Sequence, residues 1–160
     1  MKIIIFRVVP IIMFLLMGFA FTNKSSTEPS INPIKANDII KISSSYGMRV
    51  HPITKEKRMH SGIDFIAKIG TPVLSTANGK VVTVEYNQTG YGNKIVIEHA
   101  NNLKTVYAQL EEIKVEEGQT VNQNDIIGTV GSSGTSTGPH LHYEVLQNNI
   151  PVDPKPYLSK

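Results

Sequence analysis

The chain is predicted to be mostly β, a single domain of antiparallel sheet with few or no helices. Three observations carry that expectation. Short runs rich in Val, Ile and Tyr recur at residues 73–74, 80–86, 93–99, 104–110, 125–130 and 140–146. Turn formers separate them: Asn78-Gly79, Thr89-Gly90-Tyr91-Gly92, Asn101-Asn102 and Gly131-Ser132-Ser133-Gly134. No window of a dozen residues keeps a helical period without a Gly or Pro interrupting it. Length and composition agree, since 160 residues with 40% apolar and 18% charged side chains suit one globular core.

In chain order, residues 1–20 read as a targeting segment. Lys2 and Arg7 supply a positive start, and residues 8–21 an apolar run shorter than the roughly 20 residues a membrane span needs. Gly18 and Ala20 are small residues placed for a cut near Ala20, so the expectation is a signal peptide. An uncleaved anchor over residues 3–21 is the alternative, and either puts the domain outside the cytoplasm, in the periplasm, envelope or medium. Residues 21–38 are polar and broken by Pro29 and Pro33, and read as a linker. The folded domain is expected over 39–158. Within it, strand alternation puts Tyr107 and Gln109 on one face of their strand and Val106, Ala108 and Leu110 on the other. Residues 115–128 look like the half-barrel turn of biotinyl and lipoyl carriers, but no lysine sits in a carrier's setting, so they are scaffold and give the domain a barrel-sandwich-like half.

Charge and cysteine usage remove whole classes of function. The formal charge is +3, and taking Lys2 and Arg7 from the 16 basic residues leaves 14 against 13 acidic ones, which offers nucleic acid no basic stripe. With no cysteine there are no disulfides, thiolate metal sites, cysteine nucleophile or lipidated cysteine, so a metal must be held by His, Asp or Glu. Glu111, Glu112, Glu116 and Glu117 read as a solvated loop face.

Chemistry concentrates in two stretches. Residues 134–145, GTSTGPHLHYEV, run from a Gly/Ser/Thr-rich loop into a strand whose His140 and His142, two apart, share a face. Residues 59–65, MHSGIDF, offer His60 and Asp64. Three imidazoles and a carboxylate form a zinc-type ligand set, and on spacing alone all four side chains could coordinate. His51 and His99 read as structural.

These residues carry a family resemblance. SYGMRVHP at 45–52, HSGIDF at 60–65, GKVV at 79–82, YGN at 91–93, GPHLHYE at 138–144 and VDP at 152–154 resemble the lysostaphin/LytM-type zinc endopeptidases, peptidase family M23, over about residues 39–158. The resemblance implies a β-rich groove of the duplicated-hybrid-motif kind with one Zn2+ held by His60, Asp64 and His142. It makes His140 the catalytic base, a division that also leaves the open coordination position hydrolysis requires. The implied partners are peptidoglycan peptides of bacterial cell wall, with no nucleic acid and no membrane beyond the N-terminal segment; oligomeric state is not implied. Glycines 90, 92, 131, 134 and 138 are expected in loops that let an extended peptide approach the backbone.

One position departs. The family pattern Tyr-x-His-Leu stands here as Tyr107-Ala108-Gln109-Leu110, so Gln109 occupies the place of a second catalytic histidine. Glutamine retains an N–H donor but cannot take up a proton and return it. The alternative function is therefore a weak or silent module of the same fold that binds peptidoglycan or activates another cell-wall hydrolase.

Overall fold

A computed structural model describes residues 26–50 and 55–159; the expected signal or anchor segment, residues 21–25 of the linker, and His51 lie outside the described residues. Twelve strands make up the described fold: β1 (Lys41–Ser44), β2 (Gly47–Val50), β3 (Lys57–His60), β4 (Ile63–Ile66), β5 (Pro72–Leu74), β6 (Gly79–Glu85), β7 (Asn93–Glu98), β8 (Leu103–Ile113), β9 (Thr120–Val121), β10 (Ile126–Val130), β11 (Leu141–Gln147) and β12 (Ile150–Val152). The only helical elements among the described residues are two single 3-10 turns, Ala36–Asp38 and Lys155–Tyr157.

Ten strands form one antiparallel sheet in the order β1-β4-β11-β8-β7-β6-β9, with β10 joining β5 to β8 and β12 flanking β11. The path does not close into a barrel. β2 and β3 make a separate hairpin. The longest strand, β8, pairs with β7, β11 and β10, so it organises the core, where Phe65, Ile95, Ile97, Tyr107, Leu110 and Tyr143 are fully buried.

All six apolar runs become strands. β1, β2 and β3 escape a sequence reading because KISS and KRMH carry one apolar residue each, and the alternation of Met48 and Val50 in GMRV is two residues long and faces solvent.

Two expectations are corrected. Alternation fails at Gln109, because Asn93 pairs with Leu110 and Ile95 with Tyr107, leaving Ala108 and Gln109 opposite Lys94 alone. This β-bulge puts Gln109 at φ +59, turns its side chain away from Tyr107, and sends both Tyr107 and Leu110 into the core. The second correction concerns residues 26–38, expected as linker. Ile34 is fully buried in the core, the Pro33 carbonyl accepts the Leu74 N–H at 2.8 Å, and the Thr76 carbonyl accepts the Ser30 N–H at 3.2 Å. An isoleucine directly after Pro33 in a polar stretch has no period, yet its burial contributes about 1.5–3 kcal/mol.

Candidate metal centre

β11 and β4 run antiparallel with His142 directly opposite Asp64. β3 ends at His60, and Ser61-Gly62 carries the chain into β4. That connection lies so close to β11 that a Cβ on Gly62 would come within 2.3 Å of the Tyr143 carbonyl oxygen, which explains the glycine between the two polar residues. The result is a triangle of buried atoms: His60 Nε2 to Asp64 Oδ1 3.2 Å, His60 Nε2 to His142 Nδ1 3.1 Å, and His142 Nδ1 to Asp64 Oδ1 2.8 Å. All three residues are 6–7% exposed.

What surrounds the triangle decides its chemistry. His60 Nδ1 lies 2.9 Å from the Ser45 carbonyl, which can only accept, so the ring proton sits on Nδ1 and Nε2 points inward as a lone pair. His142 Nε2 lies 2.9 Å from Glu144 Oε1, so its proton is outward and Nδ1 faces inward bare. Glu144 also accepts from the hydroxyls of Ser61 and, at 2.7 Å, Tyr91. Burial alone would raise the Glu144 carboxyl, but the hydrogen bonds from His142, Ser61 and Tyr91 outweigh it and keep it ionised.

Three electron-rich atoms thus meet with no hydrogen among them. Without a cation the cluster must take up a proton: despite burial, the bonds to Asp64 and Glu144 push His142 up to about 9. The same bonds from His142 and His60 overcome burial to hold Asp64 well below the usual carboxylate range. A divalent ion resolves the conflict as well as a proton does. Bonds of about 2.0–2.2 Å in a tetrahedron set donor–donor edges of about 3.3–3.6 Å, close to the triangle observed, and two imidazoles with one carboxylate suit zinc. The residues present fit the metal.

His140 stands beside the triangle, just before β11, where it bridges Gly131. Its Nδ1–H donates to the Gly138 carbonyl at 2.8 Å, leaving Nε2 as a free lone pair 3.9 Å from Asp64 Oδ1. It is not one of the three residues whose donor atoms converge. Gln109 lines the same cavity, about 360 Å³ in volume, with Tyr91. One Gln109 side-chain N–H donates to the Gly90 carbonyl at 3.3 Å, while Oε1 is buried without a partner. The unsatisfied atom is therefore an acceptor, where the sequence suggested a donor.

The glycine expectation is corrected in part. A Cβ on Gly92 would approach Ser133 at 2.5 Å and one on Gly134 would approach Gly92 at 2.3 Å, so this pair serves loop packing. Gly90 and Gly138 have open space, and each lines a cavity beside the site. His99 is buried between the Asn78 carbonyl at 2.8 Å and the Thr105 hydroxyl at 2.7 Å. Sequence reasoning missed Glu144 and Arg49, whose Nη2 lies 3.5 Å from Asp64 Oδ2. Glu144 had a signal, since two residues past His142 it shares that face of the strand.

The family model for Peptidase family M23 matches residues 58–154. The chain is 49% identical over 114 residues to the DD-carboxypeptidase/endopeptidase Mpg of Neisseria meningitidis serogroup B, and 40% identical over 119 residues to the peptidoglycan DD-endopeptidase ShyC of Vibrio cholerae. These alignments cover 71% and 74% of this chain but 26% and 27% of the relatives, so the chain spans about a quarter of their length. A crystal structure of a zinc-containing peptidase from Vibrio cholerae superposes with a TM-score of 0.70 at 40% identity, covering 81% of this chain and 38% of that one. With well over half of its length matched by the family model, and with the sheet that sets His60, Asp64 and His142 together, the chain belongs to peptidase family M23.

Proposed function

We propose that the protein is an exported zinc-dependent endopeptidase that hydrolyses peptide cross-links or stems of bacterial peptidoglycan. One observation carries the reading: three buried ligand atoms of His60, Asp64 and His142, the two imidazole protons turned outward, converge within 3.2 Å of one another. The substrate class is suggested by the names of the relatives. Residues 1–20 serve export or anchoring, and the domain begins upstream of residue 39, because Ile34 belongs to its core.

His60 Nε2, Asp64 Oδ1 and His142 Nδ1 would hold the metal. A zinc ion held there would supply Lewis acidity, making water a nucleophile near neutral pH and polarising the scissile carbonyl. His140, its Nδ1–H fixed on Gly138, presents Nε2 to accept the proton of the attacking water and return it to the leaving amine, a role often worth about 10² to 10⁴-fold. Glu144 and the Ser45 carbonyl hold the two ligand rings in the tautomers that coordinate.

Gln109 limits the rate. It cannot carry a proton, and one of its side-chain hydrogens is already engaged by Gly90. That observation also favours the second reading, a weak or silent module that binds peptidoglycan or activates another hydrolase. Digestion of purified peptidoglycan with mass analysis of the products separates the two. The native chain loaded with zinc is expected to cut slowly, Gln109→His to raise kcat with zinc content unchanged, and Gln109→Ala to lower it. No product from either the native chain or Gln109→His would leave the silent module.

A further inference from the structure

The β2–β3 hairpin forms one wall of the cleft, and its register sorts its side chains. Gly47 lies opposite His60 and Arg49 opposite Arg58, while Met48 faces Met59. Directly opposed residues share a face, so Arg49 and Arg58 stand on the face that carries His60. Met48 and Met59, on the other face, are 68% and 50% exposed. Two like charges set directly across a hairpin disfavour it. Asp64 offsets only one of them, through its 3.5 Å contact with Arg49. None of the ion pairs among the described residues involves Arg58.

Two cavities, about 360 and 610 Å³, meet across the site and share Arg49, Asp64, Thr135 and His140. The smaller is bounded by both arginines and Tyr91. The larger is bounded mainly by hydroxyls and loop backbone, including Ser43, Ser44, Ser136 and Thr137. Among the described residues, Asp64 is the only acidic one lining either, and its charge is committed to the imidazoles and to Arg49. The cleft is thus electropositive on one side and neutral on the other, with Arg49 where they join.

We propose that Arg49 and Arg58 form a subsite for a free carboxylate borne by the peptide residue next to the bond that lies at His60, Asp64 and His142. Resting on the peptidoglycan-endopeptidase reading, this narrows the substrate to peptides with a carboxylate beside the scissile bond, and away from uncharged bridges. A guanidinium is suited to the task because its planar fork matches a carboxylate in two parallel hydrogen bonds. Arg49 has a second role as a positioning residue for Asp64, so Arg58 is the cleaner probe.

The test uses two cross-linked peptides that differ only in carrying carboxylate or carboxamide at that residue. Their affinities are measured by calorimetry on the zinc-loaded full chain with His140→Ala, and their hydrolysis on the native chain. The carboxylate peptide is expected to bind about tenfold more tightly, a gap typical of one charge-assisted contact. Arg58→Gln should bring that ratio close to one, Arg58→Lys should restore part of it, and added salt should shrink it. Equal affinities in the native-hairpin protein, no binding of the carboxylate peptide, or a ratio untouched by Arg58→Gln at unchanged zinc content and melting temperature would overturn the subsite. If the preference holds and neither peptide is cut, the subsite stands and the endopeptidase reading falls; if both are cut with equal KM, the reverse is true.

Discussion

Strands β8 and β11 carry a buried polar cluster on each face, and the two are opposites in how their hydrogens balance. On the core face, His99 Nδ1–H donates to the Asn78 carbonyl, its Nε2 meets the Thr105 hydroxyl, and the hydroxyls of Thr105, Tyr107, Thr76 and Tyr143 continue in a line at 3.0–3.1 Å. Every donor there has an acceptor, and burial raises both tyrosines so that they remain neutral hydroxyls. On the cleft face, Glu144 and Ser45 draw the imidazole protons outward and leave three acceptors confronting one another. A closed chain of hydrogen bonds is structure, whereas a cluster short of a positive charge is a binding site. Both hold buried histidine, so burial alone would not tell them apart.

The contrast breaks most sharply at Asp64. Asp64→Asn should abolish zinc uptake, read by elemental analysis, and with it peptidoglycan hydrolysis, because the uncharged amide no longer offsets the cation. Glu144→Gln keeps the shape but withdraws the charge that orients His142; zinc affinity should fall about 10 to 100-fold, measured by chelator competition. Across the sheet, Tyr107→Phe strands the Thr76 N–H and takes one partner from each threonine hydroxyl, leaving Thr105 with His99 and Thr76 with Tyr143. It should cost about 1–3 kcal/mol in denaturant melts while zinc affinity stays the same. A loss of zinc in that variant would mean the two faces are coupled. The smallest effect is on acid sensitivity. Burial lowers the pKa of His99 below its ordinary 6.5, so the unfolded chain binds the proton more readily. Its contribution is complete above about pH 6.5 and declines as the pH falls. Between about pH 7.5 and about pH 5, His99→Gln should therefore lose less stability than the native chain, by thermal melts at each pH.

The cleft face was more legible in the sequence than the core face. His60, Asp64, His140 and His142 stand in two short motifs, and the structure gathers all four around one cavity. What escaped was whatever depends on register. The family pattern puts Gln109 at the site, but the bulge that inverts the strand's alternation and turns the side chain there has no signal in Tyr-Ala-Gln-Leu. Holding a glutamine at φ +59 costs about 1–3 kcal/mol, strain the surrounding pairing has to maintain. The arginine wall escaped for a similar reason: β2 and β3 are too short to show a lasting alternation, so their pairing, and the face Arg49 and Arg58 share with His60, appears only in the fold. The line of hydroxyls on the core face joins residues up to 67 positions apart and has no local signature.

Zinc content of the His140→Ala and His142→Ala proteins beside the native chain is the most direct test of the difference between the two faces and of the roles within the cleft. One zinc per chain is expected in the native protein and in His140→Ala, which should nonetheless be inactive, and none in His142→Ala. A native chain without zinc, or a His140→Ala protein that loses the metal as completely as His142→Ala, would contradict the assignment of ligands and base.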